Sequence, residues 1–109
     1  MSDTQQIIDA LIKFRNERDW EQFHNTKDLA LAISVEAAEL LELFLWKKPE
    51  EANVEKVKEE LADILAFSFM LADKYKFDIK EIVMSKITAN STKYPVHKAK
   101  GTMKKYNEL

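Results

Sequence analysis

An all-α fold, an antiparallel bundle of four main helices, is predicted by three features of the sequence. The 109-residue chain has one Gly and two Pro, too little turn chemistry for a sheet of several hairpins. It combines 46% hydrophobic with 33% charged residues, a balance that excludes disorder and suits amphipathic helices. Its apolar residues recur at helical rather than alternating spacing, and four segments carry their own start or stop signals. The length allows one domain with a modest core.

The first helix is expected to start near Asp3 or Thr4, either of which can cap it, and to run to about Arg18. Ile7, Ile8, Leu11, Ile12 and Phe14 form its core stripe, while Lys13, Arg15, Asn16 and Glu17 read as mostly solvated. Arg18 to Asn25 breaks the periodicity and reads as a connection. It carries Trp20, Phe23 and His24, which either plug the end of the bundle or cover a flat ligand.

The second helix takes Asn25 or Thr26 as its cap, has Asp28 in its first turn and is expected to reach about Trp46. Leu29, Leu31, Ile33, Val35, Leu41, Phe44 and Leu45 make it apolar on nearly every side. Such a helix must be covered all round, which a chain of this length cannot do alone, so self-association is expected. Lys47 to Ala52 is the turn. Asn53 then caps a third helix that runs to about Tyr75.

Asp78 and Glu81 form a capping box for the fourth helix, with Phe77 and Ile82 as a hydrophobic staple. Ile79, Ile82, Val83 and Ile87 are expected to face inward, and Pro95 ends the helix. Lys86, Asn90, Lys93 and Tyr94 fall on one polar stripe that could grip phosphates. The tail from His97 to Leu109, with Lys98, Lys100, Lys104 and Lys105, is either a mobile basic arm or a flap over a neighbouring subunit's site.

Two acidic pairs break the pattern of solvated charge. Glu36 and Glu39, then Glu60 and Asp63, stand three residues apart inside the two most apolar segments. At roughly 100° per residue each pair shares a helix face. The first lies among Leu29, Ala32, Leu40 and Leu43, and the second among Val57, Ile64, Phe67 and Leu71. Glu36 and Asp63 are equidistant from the Pro49/Glu50 junction, as are Glu39 and Glu60, so an antiparallel hairpin brings all four together. Half-buried carboxylates at that density need a cation, and an all-oxygen ligand set suits Mg²⁺, or Mn²⁺, between helices two and three.

Charge and composition narrow the chemistry further. A net charge of −2 gives no basic field for nucleic acid, the absence of Cys removes thiol catalysis and zinc ribbons, and the single Gly, Gly101, leaves no phosphate-binding Gly loop. No run of about 18 apolar residues suggests a membrane span; a soluble cytoplasmic protein is the expectation. Hard-metal ligands with lysines nearby and no Cys or Ser nucleophile point to metal-assisted phosphoryl or nucleotidyl transfer to water.

These residues carry a resemblance. Glu-x-x-Glu followed by Glu-x-x-Asp, together with Arg18-Asp19-Trp20-Glu21-Gln22-Phe23-His24, Leu43-Phe44-Leu45-Trp46-Lys47, Ser85-Lys86, Asn90, Lys93-Tyr94-Pro95 and His97, resembles the all-α nucleoside triphosphate pyrophosphohydrolases of the MazG type, in their dCTP pyrophosphatase-like branch. The resemblance implies cleavage of a deoxynucleoside triphosphate, dCTP or a modified dCTP, to the monophosphate and pyrophosphate. It implies that Glu36, Glu39, Glu60 and Asp63 bind Mg²⁺ and that one of the glutamates activates water. Lys86, Asn90, Lys93 and Tyr94 would hold phosphate and sugar, while Trp20, His24 and Trp46 would enclose the base. It also implies a homotetramer, a dimer of dimers with sites between chains. Phe67 stands where relatives often carry Tyr, which removes a hydroxyl contact to the sugar.

Two other readings compete. A carboxylate-bridged di-iron bundle usually needs Glu-x-x-His, which neither pair supplies. A non-enzymatic helical interaction module would use the apolar helix as a partner surface and leave the acids solvated.

Overall fold

The computed structural model describes all 109 residues, Met1–Leu109. It is entirely helical, with four main helices, α1 (Asp3–Glu17), α2 (Thr26–Glu42), α3 (Val54–Lys74) and α4 (Ile79–Lys93), a short α5 (Val96–Ala99), and three single 3-10 turns. No helix is long and apolar enough to cross a membrane. The chain forms two compact units, Met1–Lys76 and Phe77–Leu109.

In the first unit the helix ends follow from local chemistry. The side chain of Ser2, one residue earlier than expected, caps α1 by accepting from the Gln5 amide at 3.2 Å. At the other end Asp19 turns left-handed (φ 54°). Its amide bonds the Asn16 carbonyl while that of Trp20 reaches back to Arg15, closing the helix in a Schellman motif. Asn25 and Asn53 cap α2 and α3, accepting from the amides of Asp28 and Lys56.

α2 stops at Glu42, short of the expected Trp46. The amides of Leu43, Phe44 and Leu45 bond carbonyls three residues back, at 3.2, 2.9 and 3.3 Å, so the chain tightens into turns. Trp46 then adopts φ 61°, which ends any helix. Lys48, extended as a residue before proline must be, leads into the 3-10 turn Pro49–Glu51.

α3 lies along α2 and also contacts α1. The buried apolar side chains are few: Ile8 on α1, Leu29 on α2, and Met70 and Ala72 on α3, of which Leu29 alone is fully enclosed. Much of the expected core stripe is open, with Ile7 and Phe14 about half exposed, and so are Leu31, Val35, Leu41 and Leu45 on and beyond α2 and Leu61 and Leu65 on α3. A single chain with one narrow core has nothing to lay over these residues.

In the second unit the Asp78 carboxylate caps α4, accepting from the Glu81 amide at 2.9 Å. Ile82, Val83 and Ile87, expected to face inward, are exposed. The tail turns back through α5 and Gly101 (φ 79°), and the Tyr106 ring meets Tyr94 edge-on at 6.2 Å.

Candidate active site

The α2/α3 hairpin brings the acidic residues together. One carboxylate oxygen from each of Glu36, Glu60 and Asp63 lies within 4.8 Å of the others, and Glu39 is close enough to Glu36 to act on its ionisation. Glu36 of the α2 pair thus meets the α3 pair, with Glu60 its strongest neighbour, while Glu39 stands outside the group of three and bears on Glu36 alone. The inward oxygens, Oε2 of Glu36 and Oε2 of Glu60, are buried and receive no hydrogen bond from any donor. Two negative oxygens without donors repel, which favours the protonated form of Glu36. The contact with Glu60, burial, and the charges of Glu39 and Asp63 accordingly push the Glu36 carboxyl up to about 7.

These orphaned oxygens test the cluster as a cation site. An all-carboxylate set without His or Cys matches the preference of a hard divalent ion, and such an ion would relieve the repulsion that otherwise retains a proton. The residues fit the group.

Asp63 also lines an open cavity of about 370 Å³, together with Leu11, Phe14, Arg15, Trp20, His24, Ala66, Phe67 and Met70. Asp63 therefore joins the acidic cluster to an aromatic and apolar recess. Trp20 stands edge-on to Phe14 with ring centroids 5.7 Å apart, and His24 edge-on to Phe67 at 6.4 Å. Trp20 and His24 thus line a cavity wall; Phe23, by contrast, is 61% exposed and outside it. Burial, then the charges of Arg15 and Lys74, lowers the pKa of His24, which keeps its imidazole neutral at neutral pH. Its Nδ1 is buried without a partner.

Arg15 is the residue that sequence reasoning misplaced. Flanked by Lys13, Asn16 and Glu17 it reads as solvated, yet it is buried, 7% exposed, on the cavity wall. Its long apolar stem can lie along the core while the head stays near polar groups, and one local pattern does not reveal that. Phe67, at the position where relatives often carry Tyr, and Met70 both lie on the cavity wall.

Trp46 is 100% exposed and is not part of the cavity. Lys86, Asn90, Lys93 and Tyr94 belong to the second unit, where Lys86, Asn90 and Lys93 are exposed and Tyr94 is half-buried. The Lys93 ammonium sits 4.9 Å over the Tyr106 ring, a cation–π contact that fixes the end of α4 against the tail.

The profile of the MazG-like family matches residues 31–109. The dCTP pyrophosphatase 1 of Bos taurus is 40% identical over 105 residues, and that of Homo sapiens 39%; each alignment covers 89% of this chain. The chain spans 62% of the length of those relatives. A crystal structure of a pyrophosphatase from Archaeoglobus fulgidus matches with a TM-score of 0.81 and 35% identity, over 87% of this chain and 94% of that one.

Proposed function

The chain belongs to the MazG-like family, and on that premise we propose that it is a nucleoside triphosphate pyrophosphohydrolase dependent on a divalent cation. The substrate is a deoxynucleoside triphosphate, with dCTP or a modified dCTP first among them, and the products are the monophosphate and pyrophosphate. The observation that carries this reading is Asp63, which belongs at once to the acidic cluster and to the cavity wall. A charged triphosphate and a flat base require those two environments side by side.

Glu36, Glu39, Glu60 and Asp63 would hold Mg²⁺, or Mn²⁺. A bound cation would neutralise the phosphate charge and make water more acidic. A carboxylate of the cluster accepts the proton of the water that attacks the α-phosphorus, while the bond from that phosphorus to the bridging oxygen breaks and pyrophosphate leaves. Trp20 and the neutral His24 receive the base. Lys86, Asn90, Lys93 and Tyr94 are assigned to phosphate and sugar, where lysine supplies a point charge and Asn a donor.

The exposed apolar residues support a homo-oligomer, which we place as a dimer of dimers. The fully exposed Trp46 is assigned to the base from a neighbouring chain. A soluble nucleotide substrate supports a cytoplasmic location.

The test is product identification by ³¹P NMR with Mg²⁺ and a panel of deoxynucleoside triphosphates, including 5-methyl-dCTP. Monophosphate and pyrophosphate are expected. Release of orthophosphate and a diphosphate, or no turnover of any nucleotide, would contradict the proposal; the latter would favour the interaction module.

A further inference from the structure

Arg15 is a largely buried cation held by one hydrogen bond and one long ion pair. Its side chain is 9% accessible, and its Nε donates to Asn16 Oδ1 at 3.1 Å. Its Nη2 stands 3.8 Å from Oε2 of Glu21, whose side chain is 59% accessible and is shared with Lys74 at 3.5 Å. Neither Nη group makes a hydrogen bond. A buried charge that is only loosely paired is no gain for stability, and an apolar side chain of the same volume would serve the fold at least as well. Arg15 lines the cavity, so the guanidinium donors left over can be offered to something that enters it.

That cavity has the form of a base site. Trp20, His24 and Phe67 offer ring surfaces, and Asp63 at its edge leads to the acidic cluster where a triphosphate would sit. The planar fork of an arginine matches two adjacent acceptors on one edge of a ligand. Among the nucleobases, cytosine presents O2 beside N3, and guanine presents O6 beside N7. Uracil and thymine carry a hydrogen on N3, which would meet the guanidinium donor to donor, and adenine places an amine beside N7.

We infer that Arg15 is the specificity-determining residue of this site, selecting a base with two adjacent acceptors, cytosine or guanine, by a bidentate contact from its guanidinium. The inference rests on the reading of the cavity as the base site of a nucleotide pyrophosphohydrolase. Within that reading it assigns base choice to a side chain on α1, outside the acidic motif.

The experiment compares wild-type protein, R15M and R15K with dCTP, dGTP, dUTP and dATP and Mg²⁺, reading kcat/KM for each. Calorimetric binding of dCMP, dGMP and dUMP is read in parallel, with thermal melting as the check on folding. R15M keeps the volume and removes the fork; R15K keeps the charge and removes it. The wild type is expected to favour dCTP or dGTP over dUTP, and both variants to lose about ten- to a hundredfold of that ratio. Preference for dCTP identifies cytosine as the base read, and preference for dGTP identifies guanine. An unchanged ratio in a folded R15M, or its full restoration in R15K, would overturn the assignment. A wild type that turns over no nucleotide defeats the enzymatic reading, and the monophosphates then decide for Arg15 alone. A preference for dCMP or dGMP over dUMP that R15M loses upholds it, and equal binding refutes it.

Discussion

Glu36 on α2 and Glu60 on α3 face each other with oxygens no more than 4.8 Å apart, and the inward oxygen of each lacks any donor. That contact gives the metal-free protein a specific pH dependence. Glu36 keeps its proton to about 7 when folded, against 4.5 for a free side chain. Between these values the folded state binds the extra proton, so stability is fully present below 4.5 and is lost as pH rises through about 7. Urea denaturation in chelator should show a loss on the order of 1 kcal/mol between about pH 5 and about pH 8, because surrounding solvent screens the repulsion. Stability that rises over this range would contradict the assigned cause.

Removing one charge from the cluster should separate stability from activity. Glu60→Gln and Asp63→Asn are expected to lower Mg²⁺-dependent turnover by at least about a hundredfold. Without metal both variants should be as stable as the wild type or more so above neutral pH, with a flatter pH profile. Unfolding of either variant in chelator would mean that the carboxylates hold the hairpin together.

Trp46 is solvent-exposed in the single chain, so Trp46→Ala should leave helical content by circular dichroism unchanged. If its ring stacks on the base of a neighbouring site, kcat/KM for the best substrate should fall by about tenfold or more, since base stacking contributes about 1–3 kcal/mol. Unaltered kcat/KM would remove Trp46 from the site.

The uncovered apolar side chains make association measurable. Leu41 is 62% and Leu61 47% exposed. Sedimentation should show wild-type protein well above its 12.7 kDa chain mass, and Leu41→Lys with Leu61→Lys should shift it toward the monomer. A wild-type monomer at working concentrations would contradict the assembly.

The acidic hairpin was legible because its signal is local and doubled. Two pairs at helical spacing within apolar runs, placed symmetrically about Pro49, bring Glu36, Glu60 and Asp63 together, but the pairing differs from the symmetric one: Glu60 rather than Asp63 is the strongest neighbour of Glu36, and Asp63 is exposed. The caps at Asn25, Asn53 and Asp78 were equally legible, since each rests on one side chain and an amide three residues on. The end of α2 was not. Leu43 to Trp46 carries no Gly or Pro, and its apolar run looks helical, whereas the turn toward Lys48 and Pro49 forces Trp46 into a left-handed conformation. Nor was the burial of Arg15 legible, because it depends on where the connection after α1 returns and on the ion pair of Glu21 with Lys74 on α3. Ile82, Val83 and Ile87 have the composition of an inward face, yet they are exposed in the single chain.

The most direct measurement is a Mn²⁺ titration followed by electron paramagnetic resonance, on wild-type protein and on Glu36→Gln and Glu60→Gln, with a non-hydrolysable dCTP analogue present. Loss of the free-ion signal in the wild type, and its persistence in both variants, is the expected result. Free Mn²⁺ that stays in solution with the wild type, or equal uptake by all three proteins, would show that these carboxylates do not form a metal site.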